Sequence, residues 1–230
     1  MRNIIYRGEI LEEIYNNDLK QYLIKKFNYD KLFGFDIQKH VKLFFIPKKD
    51  HIIQDTKTPE YLFYLVKGKT KLYENLENGQ VALIDLFTPA CFIGEIELTE
   101  KNMTPLNVQA IEDCLCLGLS FKDLKTTLLN DTVLLRNLLS YLSHKNMRNI
   151  QVAARNQSYS LAKRLASFIL MTEQNGIYDE KHTQVAQYLG VSYRHLLYVI
   201  ADFVKKGYIE KEKSGYKILN LPKLKDLAKR

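Results

Sequence analysis

With 230 residues, 46% of them hydrophobic and 26% charged, the chain has the profile of a folded globular protein, and no apolar run approaches the ~20 residues that a membrane-spanning helix needs. Met1–Glu13 carries no apolar signal-peptide core and three cysteines make a poor disulfide framework, so a cytoplasmic protein with reduced thiols and no membrane partner is expected. The net charge of +8 is concentrated, because residues 157–230 hold 13 Lys and Arg against 7 Asp and Glu, a local excess that suits a polyanion, nucleic acid ahead of an anionic membrane.

The first element is an amphipathic helix over Ile10–Phe27, with Ile10, Ile14, Leu19, Leu23 and Phe27 spaced by roughly helical steps and an end near Asn28. From Phe35 to Leu119 short β-branched and aromatic runs alternate with turn signals. Val41–Ile46 stops at Pro47, Tyr61–Val66 stops at Lys67-Gly68, Lys69–Glu74 meets Asn78-Gly79, and Val81–Phe87 follows. Asn-Gly tolerates the positive φ angles of a tight hairpin. Such closely spaced strands predict an antiparallel sandwich or jelly roll over residues 1–130, the leading helix included.

Phe121–Asn130 reads as a short helix, and residues 131–155, free of Pro and Gly, as a long one. Leu135, Leu138, Leu142, Asn149 and Val152 recur near the spacing of a coiled-coil seam, with Leu134 and Leu139 widening the stripe. This face is expected to bury itself against the β-domain or against a second copy, Asn149 setting the register at some cost in packing. Ser158–Gln174 is a further helix, with Leu161, Leu165, Phe168 and Ile169 on one face. Asn175-Gly176 is expected to close it with a left-handed cap.

The strongest local signal is Thr183–Ile200: a short helix, a turn at Gly190, and a second helix capped by Ser192. Glycine supplies the positive φ that lets two helices cross steeply, and serine accepts a free N–H at a helix start. In the second helix Leu196, Val199, Ile200 and Phe203 are expected to pack inward, whereas Tyr193, Arg194, Tyr198 and Ala201 point away. Such a helix fits the DNA major groove, where Arg194 can hold guanine O6 and N7 in a two-pronged fork. Tyr193 and Tyr198 would meet phosphate, sugar or a thymine methyl, and His195 either a phosphate or local packing. Lys205–Leu219 then folds into a hairpin wing around Ser214-Gly215, with Lys213 and Lys217 placed for the phosphate backbone.

In this order the segments resemble the Crp/Fnr family of transcription regulators, and within it a YeiL-type branch. The resemblance is carried by Leu62–Tyr73, Asn78-Gly79, Cys91–Leu98 and the helix-turn-helix. It implies an α+β fold: an N-terminal double-stranded β-helix (a jelly roll like the cyclic-nucleotide-binding domain), a dimerisation helix at 131–155, and a winged helix-turn-helix at 156–230. It further implies a homodimer on double-stranded DNA that places two reading helices one turn apart, with RNA polymerase as a partner of an activator. Tyr193, Arg194 and Tyr198 would hold its base-reading positions.

Cyclic-nucleotide-binding members carry Gly-Glu followed by an Arg-Ser/Thr-Ala run. Gly94 and Glu95 match the first part; the later stretch reads Lys101–Val108, with Pro105 and no Arg. Lys101 lacks the fork that would compensate a buried phosphate, so an effector at Gly94, Glu95 and Lys101 is expected to differ from a cyclic nucleotide. Cys114 and Cys116 share a face of one strand, and Cys91 lies on another; the alternatives are core thiols or a redox or metal site. The N-terminal cysteine group of the iron–sulfur branch is absent. No cofactor is required. A cupin-type enzyme would need clustered histidines, but His40 and His51 are isolated and the other three lie outside the β-domain, so enzyme activity is not expected. The remaining alternatives are a cyclic-nucleotide-responsive regulator and an interaction module that does not bind DNA.

Overall fold

The computed structural model describes residues 11–77, 79, 81–100 and 103–229, the side chains of 155–157 excepted. Ile10, Asn78 and Lys101 of the sequence reading lie outside the described residues.

The chain opens with a two-residue strand, β1 (Glu12–Glu13), and a helix, α1 (Asn17–Phe27). This helix starts later than its periodicity suggested, because Glu12 and Glu13 pair with Phe45 and Phe44 at a sheet edge. Asn16 then caps it, its side chain accepting the Leu19 N–H at 2.9 Å, and Asn28 at φ 49° ends it. The strands that follow are β2 (Lys42–Ile46), β3 (His51–Ile53), β4 (Tyr61–Lys67), β5 (Thr70–Asn75), β6 (Val81–Phe87) and β7 (Cys91–Ile93). A five-residue helix, α2 (Glu95–Thr99), precedes β8 (Asn107–Ala110) and β9 (Cys114–Ser120).

These strands form two sheets, in the orders β1-β2-β9-β4-β7 and β3-β8-β5-β6, and every described pairing is antiparallel. Their facing sides share one apolar interior, in which Phe44, Phe63 and Leu65 of the first sheet meet Ile53, Val108 and Ala110 of the second. The outer side of the first sheet is covered too. There Leu43, Leu62, Tyr64 and Leu119 pack with Leu23 and Ile24 of α1 and with Phe121, Leu124 and Leu128 of α3 (Phe121–Asn130). Cover on both faces explains why Leu62–Val66 is buried at every position instead of alternating.

Tyr29 is fully buried in that outer layer, its ring 5.0 Å from those of Phe33 and Tyr64. Its hydroxyl has no hydrogen-bond partner among the described residues, and burial drives its pKa far up. A buried unpaired hydroxyl costs stability, so Tyr29→Phe is expected to stabilise the protein by about 1 kcal/mol. Thermal denaturation checks this; a lower melting temperature for the variant would show that the hydroxyl is satisfied.

The long helix α4 (Thr132–Ser158) begins at a built anchor. The buried Asp131 carboxylate accepts the Gly34 N–H at 2.8 Å and the Val133 N–H at 2.9 Å. Nearly two and then nearly three turns after Asp131, the Asn137 amide donates to Leu32 O at 3.1 Å and the Tyr141 hydroxyl to Phe92 O at 3.0 Å. Leu134 and Leu138 are buried in the outer layer with them. Leu138 therefore belongs to the chain's own core, a correction to its place in the expected dimer seam. The face one residue on, Leu139, Leu142 and Ile150, is exposed, with Leu135 half-buried at its start. Of the other expected seam residues, Asn149 is exposed and Val152 half-buried.

Helix α4 runs to Ser158, and α5 (Leu161–Thr172) starts from the Ser160 cap, so the expected helix over Ser158–Gln174 is shorter at both ends. Asn175-Gly176 does not cap it. Gln174 and Ile177 exchange both backbone bonds at 2.9 Å, and Asn175 and Gly176 both take positive φ, 51° and 78°. Two consecutive positive φ values make the tight hairpin turn of type I′. The remaining elements are β10 (Ile177–Tyr178), α6 (His182–Tyr188), α7 (Tyr193–Lys205), β11 (Ile209–Lys211), β12 (Tyr216–Ile218) and α8 (Leu221–Lys229). The three strands form a small sheet in the order β10-β12-β11. The chain divides into two compact units, one from the residues up to Tyr73 with Asp85–His144, the other from Glu74–Ile84 with the chain from Lys145 on.

Candidate nucleic-acid interface

Helices α6 and α7 meet through a tight turn. Gly190 takes φ 63°, its N–H donates to Gln187 O at 3.0 Å, and the Val191 N–H donates to Ala186 O at 2.9 Å. Ser192 caps α7 as expected, its hydroxyl accepting the His195 N–H at 3.2 Å. The Arg164 guanidinium of α5 donates to Leu189 O at the end of α6, which ties the turn to the helix beneath it.

One side of α7 is sealed. Leu196, Val199, Ile200 and Phe203 are buried, and α7 packs on α5 and β11. At about 100° per residue the opposite side carries Arg194, Leu197, Tyr198 and Ala201, all exposed, with Lys205 at its far end. Tyr193 stands at one flank beside Tyr216 of β12, whose pKa its phenol helps raise, though burial is the larger cause. His195 is exposed at the other flank, where Asp202, two turns further on, is paired with Lys206 at 2.6 Å. Leu197 is the residue that the sequence reading missed. Its position three residues after Arg194 carried the signal.

The helix ends in a left-handed turn: Gly207 takes φ 68°, and the Tyr208 N–H reaches back to Phe203 O at 2.9 Å while their rings meet edge-to-face. The wing is then the antiparallel pair β11–β12, with Ile209 opposite Ile218 and Lys211 opposite Tyr216. Its turn closes through the Glu212 N–H to Gly215 O at 3.0 Å. Gly215 takes φ 83°, and a Cβ there would collide with Tyr178 O, so this turn admits only glycine. Lys213 at the turn and Lys217 on β12 are both exposed. The wing is buttressed by an aromatic stack of His182, Tyr178 and Tyr216. Burial is the chief cause that lowers the pKa of His182, with Lys211 adding to it.

Within the roll, Gly94 starts α2 at φ 95° with Tyr61 O 2.8 Å from where a Cβ would sit, and Glu95 is buried. The short helix α2 that follows was not among the elements expected from the sequence. The residues present do not fit a cyclic nucleotide. The roll buries two carboxyl groups, Asp85 and Glu95, and the chain has no arginine from residue 8 to 135 to answer a phosphate. Phenylalanines 44, 63 and 87 fill the space between the sheets.

Cys91, Cys114 and Cys116 all face that interior as buried thiols outside any disulfide. Leu65 of β4 is paired with both Cys91 and Cys116, so a whole strand separates these two, about 10 Å at strand spacing, beyond the reach of a disulfide. Burial pushes the Cys114 thiol up to about 12 and Cys116 well above its ordinary value. Among the described residues no group of three His, Cys, Asp or Glu is placed to hold a metal ion. A thiol-specific reagent is expected to leave Cys114 and Cys116 unmodified for hours at pH 8 and to modify them at once in denaturant, because the thiolate is the reactive form. Rapid labelling of either in the native protein would restore the redox reading.

Residues 43–131 match the cyclic nucleotide-binding domain family, and residues 163–227 match the Crp-like helix-turn-helix domain. The regulatory protein YeiL of Escherichia coli O157:H7 is 51% identical over 193 residues, 84% of this chain and 88% of its own. A putative Crp/Fnr-family transcriptional regulator from Eubacterium rectale superposes with a TM-score of 0.67 at 15% identity, covering 93% of this chain and 97% of that one. A CRP-family regulator from Thermus thermophilus gives 0.63 at 18% identity, covering 81% and 96%. No described helix is long and apolar enough to cross a membrane. With half of its residues shared over most of both lengths, and the two matched domains in the same order, the chain belongs to the Crp/Fnr family of transcription regulators, proteins that are not enzymes.

Proposed function

We propose that this regulator binds double-stranded DNA in the cytoplasm as a homodimer, with α7 of each copy in the major groove. Residues 1–130 form the sensor domain, 131–155 the dimer helix and 156–230 the DNA-binding domain. Where it activates transcription, RNA polymerase is its further partner. The observation that carries this reading is the solvent-facing side of α7, where Arg194, Leu197, Tyr198 and Ala201 stand uncovered beside a wing bearing Lys213 and Lys217. Arg194 supplies the guanine-reading fork, Tyr193, Tyr198 and His195 flank it, and the wing lysines and the Ser192 helix start meet phosphates. Leu139 and Leu142, exposed on α4 after the half-buried Leu135, support dimerisation, since a monomer would leave them in water, and Asn149 and Val152 complete the proposed seam. Any effector of the roll acts by binding one arrangement of the dimer better than another.

Fluorescence anisotropy on duplex pooled from the gene's own promoter region, across a salt series, tests the reading. Affinity is expected to fall steeply with salt as bound counterions are released. Arg194→Ala is expected to lose about 1–3 kcal/mol of discrimination between specific and random duplex. Absence of any binding at low salt would sink the proposal.

A further inference from the structure

The outward side of α7 is chemically lopsided, and that determines what it can read. Arg194 stands at its first turn and Lys205 at its last. Between them the outward row is Leu197, Tyr198 and Ala201, with no charge and a single phenol. The charged groups of this stretch that remain sit on the flank, where Asp202 is engaged by Lys206 at 2.6 Å. Leu197 is not a core residue. It is 36% exposed and Tyr198 75% exposed, whereas their neighbours Leu196, Val199 and Ile200 are sealed beneath.

An exposed leucine centred on a reading helix has one apolar counterpart in the major groove. Guanine, cytosine and adenine present only hydrogen-bonding edges there, and thymine alone adds a methyl group at C5. Hydrogen-bonding edges held against Leu197 and Ala201 would lose their water without a partner, a penalty that selects against them. We infer that Leu197, supported by Ala201 and the Tyr198 ring, reads thymine C5-methyl groups, so that the operator carries thymine within a base pair or two of the base read by Arg194. The inference rests on the proposed docking of α7 in the major groove and specifies what that docking recognises.

Uracil tests it, because replacing thymine by uracil removes the methyl and leaves every hydrogen-bonding edge in place. Duplexes are selected with the full-length protein from a randomised double-stranded library, and the enriched sequence is prepared once with thymine and once with uracil. Wild type is expected to bind the uracil form about fourfold more weakly for each contacted methyl, the transfer free energy of one such group. Leu197→Ala is expected to bind both forms equally and to melt within a few degrees of wild type, since its side chain lies outside the core. Equal binding of wild type to the two forms overturns the inference while leaving DNA recognition by α7 standing. A full thymine preference in Leu197→Ala overturns it as well. If no sequence is enriched at all, the DNA-binding reading itself fails and takes this inference with it.

Discussion

With aspartate at both Leu139 and Leu142, the protein is expected to sediment as a monomer and to lose at least about a hundredfold of its affinity for a duplex carrying two half-sites. Both leucines are exposed on the single chain, 68% and 38%, and they lie three residues apart on the uncovered side of α4. Two copies meeting along this row would bring four carboxylates into one seam, where like charges removed from water repel strongly. The roll is unaffected in this variant, because Leu134 and Leu138 hold α4 to its own domain through the adjacent stripe. Equilibrium sedimentation and binding to one-half-site and two-half-site duplexes are the measurements. The half-site affinity should remain near that of one wild-type head, and a persistent dimer would move the interface off this helix.

The second large effect is expected at Phe203. Phe203→Ala removes a ring that is 1% exposed, and the cavity costs about 3–5 kcal/mol. The ring also holds the end of α7, because Tyr208 packs on it at 5.6 Å while its N–H closes the left-handed turn at Gly207. Urea unfolding followed by circular dichroism should show an early transition confined to the helical C-terminal part. DNA binding should disappear with that transition. A loss below about 1 kcal/mol would mean that the site collapses onto the gap.

Most of the architecture was legible because its signals are local and strong. The short strands of the roll, the helix at Phe121–Asn130 and the Gly190 turn with its Ser192 cap each depend on residues within a few positions of one another. The failures have physical causes. Residues 134, 138 and 141 and residues 135, 139 and 142 form two apolar stripes offset by one residue, and spacing alone cannot say which stripe the roll takes and which is left uncovered. Asn175-Gly176 satisfies both a left-handed helix cap and a hairpin turn, and only the partner strand decides between them. The helix α2 is too short for periodicity to register, and it forms because Gly94 allows the chain to turn beside Tyr61. In the reading helix, Arg194 drew attention as a familiar guanine ligand. Leu197 was assigned to neither face, since burial of α7 depends on distant α5.

The anchor at the start of α4 gives the helix a fixed phase. Asp131, Asn137 and Tyr141 bind three separate backbone sites of the roll, so the helix cannot rotate about its axis without breaking them. Leu139 and Leu142 lie in the same compact unit as the roll and inherit their bearing from that setting. One residue inserted after Asn137 would swing both by about 100° and carry the Tyr141 hydroxyl away from Phe92 O. The anchor thus works as an index mark that fixes which way this uncovered pair faces.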